Sequence, residues 1–168
     1  MAQAYGRLLG VCAGLAAVLL LAMVAGITLD VVARNAARWS VRGIDELSEY
    51  ALYLVTALTA PWLLRQGQHV RIDMLLVSLP KRLAWRIEFA GDVVGLAIAL
   101  ALAWFGVAAL LDSLRAGALV MKSFVFPEWW TLVPLPVSLA LVGVEFVFRL
   151  HRLATGPRAP RIEATAVA

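Results

Sequence analysis

Three groups of residues in this sequence have the types and spacing to do chemistry. The first is Gly67-Gln68-His69-Val70-Arg71-Ile72-Asp73, which sets an imidazole, a guanidinium and a carboxylate at alternate positions. Gly67 permits a sharp turn before them. Such a cluster could fix a loop against a neighbouring subunit, but spacing alone favours an ordinary solvated loop with positive charge. The second group is Asp45, Glu46 and Glu49. Asp45 and Glu49 share a helix face at i, i+4 spacing, and Arg34, Arg38 and Arg42 precede them. The simplest expectation is an ion-pair network with those arginines; the sharper one has Glu46 pairing with a partner protein. The third group is Glu88 and Asp92, one helical turn apart, with Arg82 and Arg86 in reach. A proton or sodium site would need such carboxylates, but a structural ion pair is the expected arrangement. Glu145 and Arg149 form a further i, i+4 pair.

Other chemistries lack their parts. Haem would need histidines on facing helices. The two histidines, His69 and His151, fall in a loop and at a helix end. Cys12 is the single cysteine and lies in an apolar run, so it forms no internal disulfide. No serine–histidine dyad, zinc motif or phosphate loop is present. The expectation is a protein with no cofactor, no metal and no enzymatic activity.

These residues must be positioned by elements built for lipid. Of the 168 residues, 62% are hydrophobic and 15% charged. Soluble domains average about 45–50% apolar and about 25% charged, so a soluble enzyme, a disordered chain and a disulfide-stapled module are all excluded. The net charge of +4 comes from basic residues scattered between apolar runs, which points to membrane topology rather than nucleic acid.

A transmembrane helix needs about 20 apolar residues. Four stretches qualify, over residues 8–32, 44–64, 83–111 and 128–150. They are continuous rather than alternating, so they form helices and not a β-barrel. The first run exceeds the apolar core of a cleaved leader and is expected to be kept. Residues 72–79 are too short to span and end at Pro80; they read as an interfacial amphipathic helix, with Asp73 as its cap. The fold class is therefore an all-α integral membrane protein. Residues 1–153 make one four-helix domain and 154–168 a flexible tail.

Ten basic residues fall on the side of both termini and the middle loop, and five on the other. The positive-inside rule places both termini in the cytoplasm. Tyr5, Trp39, Trp85, Trp129 and Trp130 fall near span ends, as headgroup anchors do. Pro61 should kink the second span, and Pro134 and Pro136 should distort the fourth. Gly91, Gly95, Ala99 and Ala103 recur at four-residue intervals in the third span, a pattern that lets helices approach closely. This stripe is expected to pack on another helix, in this bundle or in a partner.

The order of these features resembles the small permease subunit of TRAP (tripartite ATP-independent periplasmic) transporters, from about Gly6 to Leu153. Gly67-Gln68-His69-Val70-Arg71-Ile72-Asp73 is similar to the family's glycine-x-histidine-aliphatic-arginine-aliphatic-aspartate motif. Asp45-Glu46-Leu47-Ser48-Glu49-Tyr50 resembles the acidic opening of its second span, though Gly43 stands where the family often has tryptophan. Pro127-Glu128-Trp129-Trp130 with Pro134-Leu135-Pro136 is similar to the start of its fourth span, and Val32-Ala33-Arg34-Asn35 to the end of its first. The resemblance implies a non-catalytic inner-membrane subunit. Its implied partners are a large permease subunit, which moves an organic acid by a sodium-driven elevator motion, and a periplasmic substrate-binding protein. It also implies an interface or fold-anchoring role for His69, Arg71 and Asp73.

Overall fold

The structure is a computed structural model that describes residues 2–39, 43–66 and 80–155. In chain order it contains α1 (Ala2–Ala37), α2 (Ile44–Arg65), α3 (Lys81–Ala116), β1 (Leu119–Met121), β2 (Val125–Pro127), α4 (Trp129–Leu132) and α5 (Pro134–Thr155). Among the described residues, four helical stretches are long and apolar enough to cross a membrane: Tyr5–Ala36, Ile44–Arg65, Leu83–Ala116 and Trp129–Thr155. The expected interfacial helix at 72–79 lies outside the described residues. Helix α5 continues through Ala154 and Thr155, two residues into the stretch expected to be a tail.

Packing runs in the order α1, α2, α5, α3, with α2 and α5 in the middle. The middle helices have 22 residues each and the flanking ones 36. At 1.5 Å per residue that is about 33 Å against about 54 Å. The middle pair therefore matches a hydrocarbon core of about 30 Å, and the flanking pair exceeds it.

Each flanking helix packs through a narrow stripe. On α1 the inward positions Leu9, Ala16, Met23 and Asp30 recur every seven residues. On α3 the buried residues Asp92, Ala99, Gly106 and Ser113 do the same. A seven-residue period is that of left-handed knobs-into-holes packing. Between α3 and α5 the antiparallel register is explicit. Gly95 lies under the ring of Phe146, Gly143 faces Leu96 and Leu100, and Gly106 faces Pro136.

The prolines shape the middle helices. Pro61 has no N–H to give to the carbonyl of Ala57, four residues back in α2. The hydroxyl of Ser138 on α5 donates to that carbonyl at 2.6 Å. A backbone acceptor freed inside a membrane helix is thus satisfied by the neighbouring helix. Pro134 divides the fourth span into α4 and α5 and takes the first position of α5, where a missing N–H costs nothing.

The all-α expectation needs one correction. Strands β1 and β2 form an antiparallel hairpin, with Leu119 opposite Pro127, Val120 opposite Phe126 and Met121 opposite Val125. Val, Met and Phe flanking the polar pair Lys122-Ser123 favour strands on both sides of a turn. Gly117, with φ +60°, ends α3 in the left-handed conformation and releases the chain into β1.

Candidate functional site

The polar side chains gather at the two ends of the bundle. At the end that carries the hairpin, α2 is preceded by Gly43, whose φ of +80° suits glycine. The ring of Phe124, from the hairpin turn, fills the space where a side chain at Gly43 would stand. Beside it, Oε1 of Glu46 accepts the backbone N–H of Ser123 at 2.8 Å, and Oε2 of Glu49 accepts from Nζ of Lys122 at 2.9 Å. The Lys122 ammonium also lies 5.5 Å from the Tyr50 ring centre, and Phe126 meets Tyr50 edge-on at 5.4 Å. The hydrogen bond to Glu49 holds the Lys122 ammonium above the ordinary lysine range.

The acidic opening of α2 is therefore a latch for the hairpin; of the arginines expected to form a network with it, Arg42 lies outside the described residues. Arg34 instead pairs with Asp30, one turn back on α1, at 2.6 Å. Residues four apart on a helix share a face, which brings these two side chains together. Asp45 is exposed on the first turn of α2. Together with Asp30, Arg34, Asn35 and Ile44 it lines a recess of about 440 Å³ between α1 and α2. An aromatic groove of about 410 Å³, bounded by Tyr50, Tyr53, Phe124, Phe126 and Trp130, lies under the hairpin.

At the opposite end, one charged pair joins α3 to α5 and a second lies within α5. Asp92 of α3 meets Arg149 of α5 at 3.2 Å, with both side chains largely shielded. Glu145, buried at 1% exposure, pairs with Arg152 at 2.8 Å. Arg149, expected to serve Glu145, meets Asp92 instead; of the arginines expected to reach Glu88 and Asp92, the side chain of Arg82 lies outside the described residues. Arg149 sits opposite Asp92 in the α3–α5 register, and that proximity takes it from Glu145. The Tyr5 hydroxyl of α1 donates to the carbonyl of Leu141 at 2.8 Å, and the Arg65 guanidinium of α2 lies 5.7 Å from the Tyr5 ring. Gly6 lets that guanidinium lie close against α1, because a Cβ there would sit 2.9 Å from it. The Trp85 indole donates to the carbonyl of Leu153 at 3.3 Å.

The small-residue stripe is divided. Gly95 and Ala99 face α5, and Ala103 is half-buried. Gly91 points outward, with nothing within 4 Å of where its Cβ would be. The true stripe thus turns from Asp92 rather than from Gly91. Gly67, His69, Arg71 and Asp73 lie outside the described residues. Among the described residues, no three His, Cys, Asp or Glu side chains gather as a metal site would require. Cys12 is a free thiol, half-buried on α1.

Sequence reasoning missed the hairpin latch of Lys122, Ser123 and Phe124. Its signal was the run Val120-Met121-Lys122-Ser123-Phe124-Val125-Phe126, with strand-forming residues on both sides of a two-residue polar step. It also missed Ser138, which only the missing N–H of Pro61 explains.

The order and placement of these features agree with one comparison. The family model for tripartite ATP-independent periplasmic transporters, DctQ component, matches residues 23–156. The chain belongs to this family. It is thus of the small permease component type of TRAP transporters, a transporter-component family rather than an enzyme family, and with four spanning-length helices it is a multi-pass membrane protein. A comparison with curated protein sequences gives no match. The matched segment takes in the hairpin, the latch on α2 and the α3–α5 interface, together with the C-terminal part of α1 from Met23 onward.

Proposed function

We propose that this DctQ-type subunit is a fixed brace in the bacterial inner membrane. It holds a large permease subunit that moves an organic acid, a carboxylate or sulfonate, in exchange for the energy of a sodium gradient. A periplasmic binding protein delivers that substrate. The single four-helix domain contributes no cargo site of its own.

The observation that carries this reading is the contrast between ends and sides. The polar pairs at both ends of the bundle tie its own elements to one another, α2 to the hairpin at one end and α3 to α5 at the other. The sides of α1 and α3 are broadly apolar, with Val11 at 71%, Leu21 at 70% and Trp104 at 74% exposure. A bundle closed at both ends and apolar along its flanks resists internal rearrangement and offers long surfaces to lipid and to a neighbouring helix. An elevator needs such a part, because its moving section must work against something that stays still.

The ratio of ten basic residues to five supports an arrangement with the Tyr5 and Leu153 end in the cytoplasm. The hairpin end then faces the periplasm, where a binding protein docks. The motif residues His69, Arg71 and Asp73 are proposed to anchor the cytoplasmic loop against the large subunit. Asp45, on the exposed side of the latch, is the acidic residue best placed for contact with a partner.

The test is uptake by liposomes that contain the large subunit with and without this chain, in the presence of the binding protein and a sodium gradient. Loss of uptake without this chain is expected, with binding of substrate to the binding protein unchanged. Full turnover by the large subunit alone would overturn the reading.

A further inference from the structure

The hairpin β1–β2 has two faces of different fate. Phe126 turns inward to Tyr50 and to Trp130, at 5.4 and 6.5 Å between ring centres. Leu119, Met121 and Val125 turn outward, and Met121 and Val125 stand directly opposite each other on the two strands. Their exposures are 52%, 77% and 66%. Three large apolar side chains on one side of so short a hairpin need an apolar or amphipathic neighbour.

The position of the hairpin identifies that neighbour. Its base is tied to the ends of two spans: the N–H of Glu128 donates to the carbonyl of Ala118 at 3.0 Å, and the Ser113 hydroxyl donates to the Glu128 carboxylate at 2.9 Å. Its turn is tied to the opening of a third span, through Ser123 to Glu46 and Lys122 to Glu49. Three-residue strands are only about 10 Å long. Tethered at both ends to span termini, the hairpin lies along the membrane plane rather than standing off it. The headgroup layer on each side of the hydrocarbon is about 5–8 Å thick, so the hairpin lies within that layer. Its outer face also continues the apolar lipid-facing surface through Leu114 and Trp130, both exposed. That outer face carries no polar side chain that would orient a protein partner, and Lys122 at its edge keeps its ammonium among polar groups as snorkelling lysines do.

We propose that the hairpin is an interfacial anchor, with Leu119, Met121 and Val125 seated at the boundary between lipid headgroups and acyl chains. It fixes the depth and tilt of the long helix α3 at this end of the bundle. This does not depend on the bracing role.

The experiment places nitroxide labels at Met121→Cys and, separately, Val125→Cys, in the full chain with Cys12→Ser. The chain is reconstituted in phosphatidylethanolamine–phosphatidylglycerol liposomes, alone and with its large subunit. Power saturation then compares access by oxygen, which partitions into lipid, with access by a water-soluble nickel chelate. A label at Leu21, on the exposed side of α1, gives the lipid reference, and one at Arg115, in the last turn of α3, the aqueous-edge reference. Both hairpin labels are expected to favour oxygen over nickel several-fold more than the Arg115 label, in both preparations. Equal nickel access at the hairpin and Arg115 would overturn the proposal. Shielding from both reagents, or shielding that arises only with the large subunit, would also overturn it and assign the face to a protein contact. Val125→Cys keeps the test decisive if Met121→Cys fails to assemble.

Discussion

Replacing Ser138 by alanine removes the donor that serves the Ala57 carbonyl. Ser138 is buried, and its hydroxyl sits 2.6 Å from that oxygen. Pro61 cannot supply the helical N–H, so the carbonyl would be left without its donor between α2 and α5. An unsatisfied buried acceptor costs about 1–3 kcal/mol. Interhelical hydrogen bonds inside membranes average about 0.6 kcal/mol and reach about 1.7. The expected loss for Ser138→Ala is therefore about 1–2 kcal/mol. In a Pro61→Ala background the new N–H at position 61 can reach the Ala57 carbonyl. There the same substitution should cost only about 0.5 kcal/mol, which leaves a coupling energy of about 1 kcal/mol. Whatever else the loss of the buried Pro61 ring does to packing is common to both Pro61→Ala proteins and cancels in the cycle. Thermal unfolding of the four purified proteins in one detergent measures it, with about 2–4 °C per kcal/mol at this chain length. Equal costs in the two backgrounds would refute the claim that Ser138 stands in for the N–H that proline lacks.

Other substitutions probe the remaining contacts. Gly95→Leu should lower the unfolding temperature and loosen α3 from α5, because even a Cβ at position 95 would lie 2.5 Å from the Phe146 ring; overpacking of this kind costs about 1–3 kcal/mol. Gly91→Ala, on the open side of the same helix, should be neutral or stabilise by about 0.5–1 kcal/mol, and a loss there as large as at Gly95 would mean the stripe is wrongly placed. Asp92→Ala strands Arg149 in a shielded site and should destabilise by about 3–5 kcal/mol, whereas Asp92→Leu with Arg149→Met should recover most of it in the same melt. The Lys122–Glu49 latch has a pH signature. The Lys122 pKa is raised above 10.5 by Glu49, so its contribution is fully present below that value and is lost as pH climbs through the raised one. Trp130 fluorescence should accordingly show no hairpin release from Lys122 between about pH 6 and 9, and a change there that Glu49→Gln abolishes would contradict the assignment.

The sequence by itself determined that this chain spans a membrane and how many helices do so. Lipid leaves the backbone no other partner, so a continuous apolar run of sufficient length dictates a helix. It determined the family as well, through ordered motifs around Asp45, Glu46 and Pro134. It also placed the break at Pro134, since a missing N–H is a property of the residue and not of its surroundings. What it left open was which way each helix faces. In water the apolar side of a helix marks the core, but lipid is as apolar as a protein interior, so α1 offers no contrast between Leu9, which is buried, and Val11, which is exposed. Helix rotation then decides everything that depends on partners across the bundle. It selects Arg149 for Asp92, turns Gly95 inward and Gly91 outward, and brings Ser138 to Ala57. The hairpin latch belongs to the same class, because Glu46 and Ser123 are 77 positions apart and only the packed fold brings them within hydrogen-bond distance.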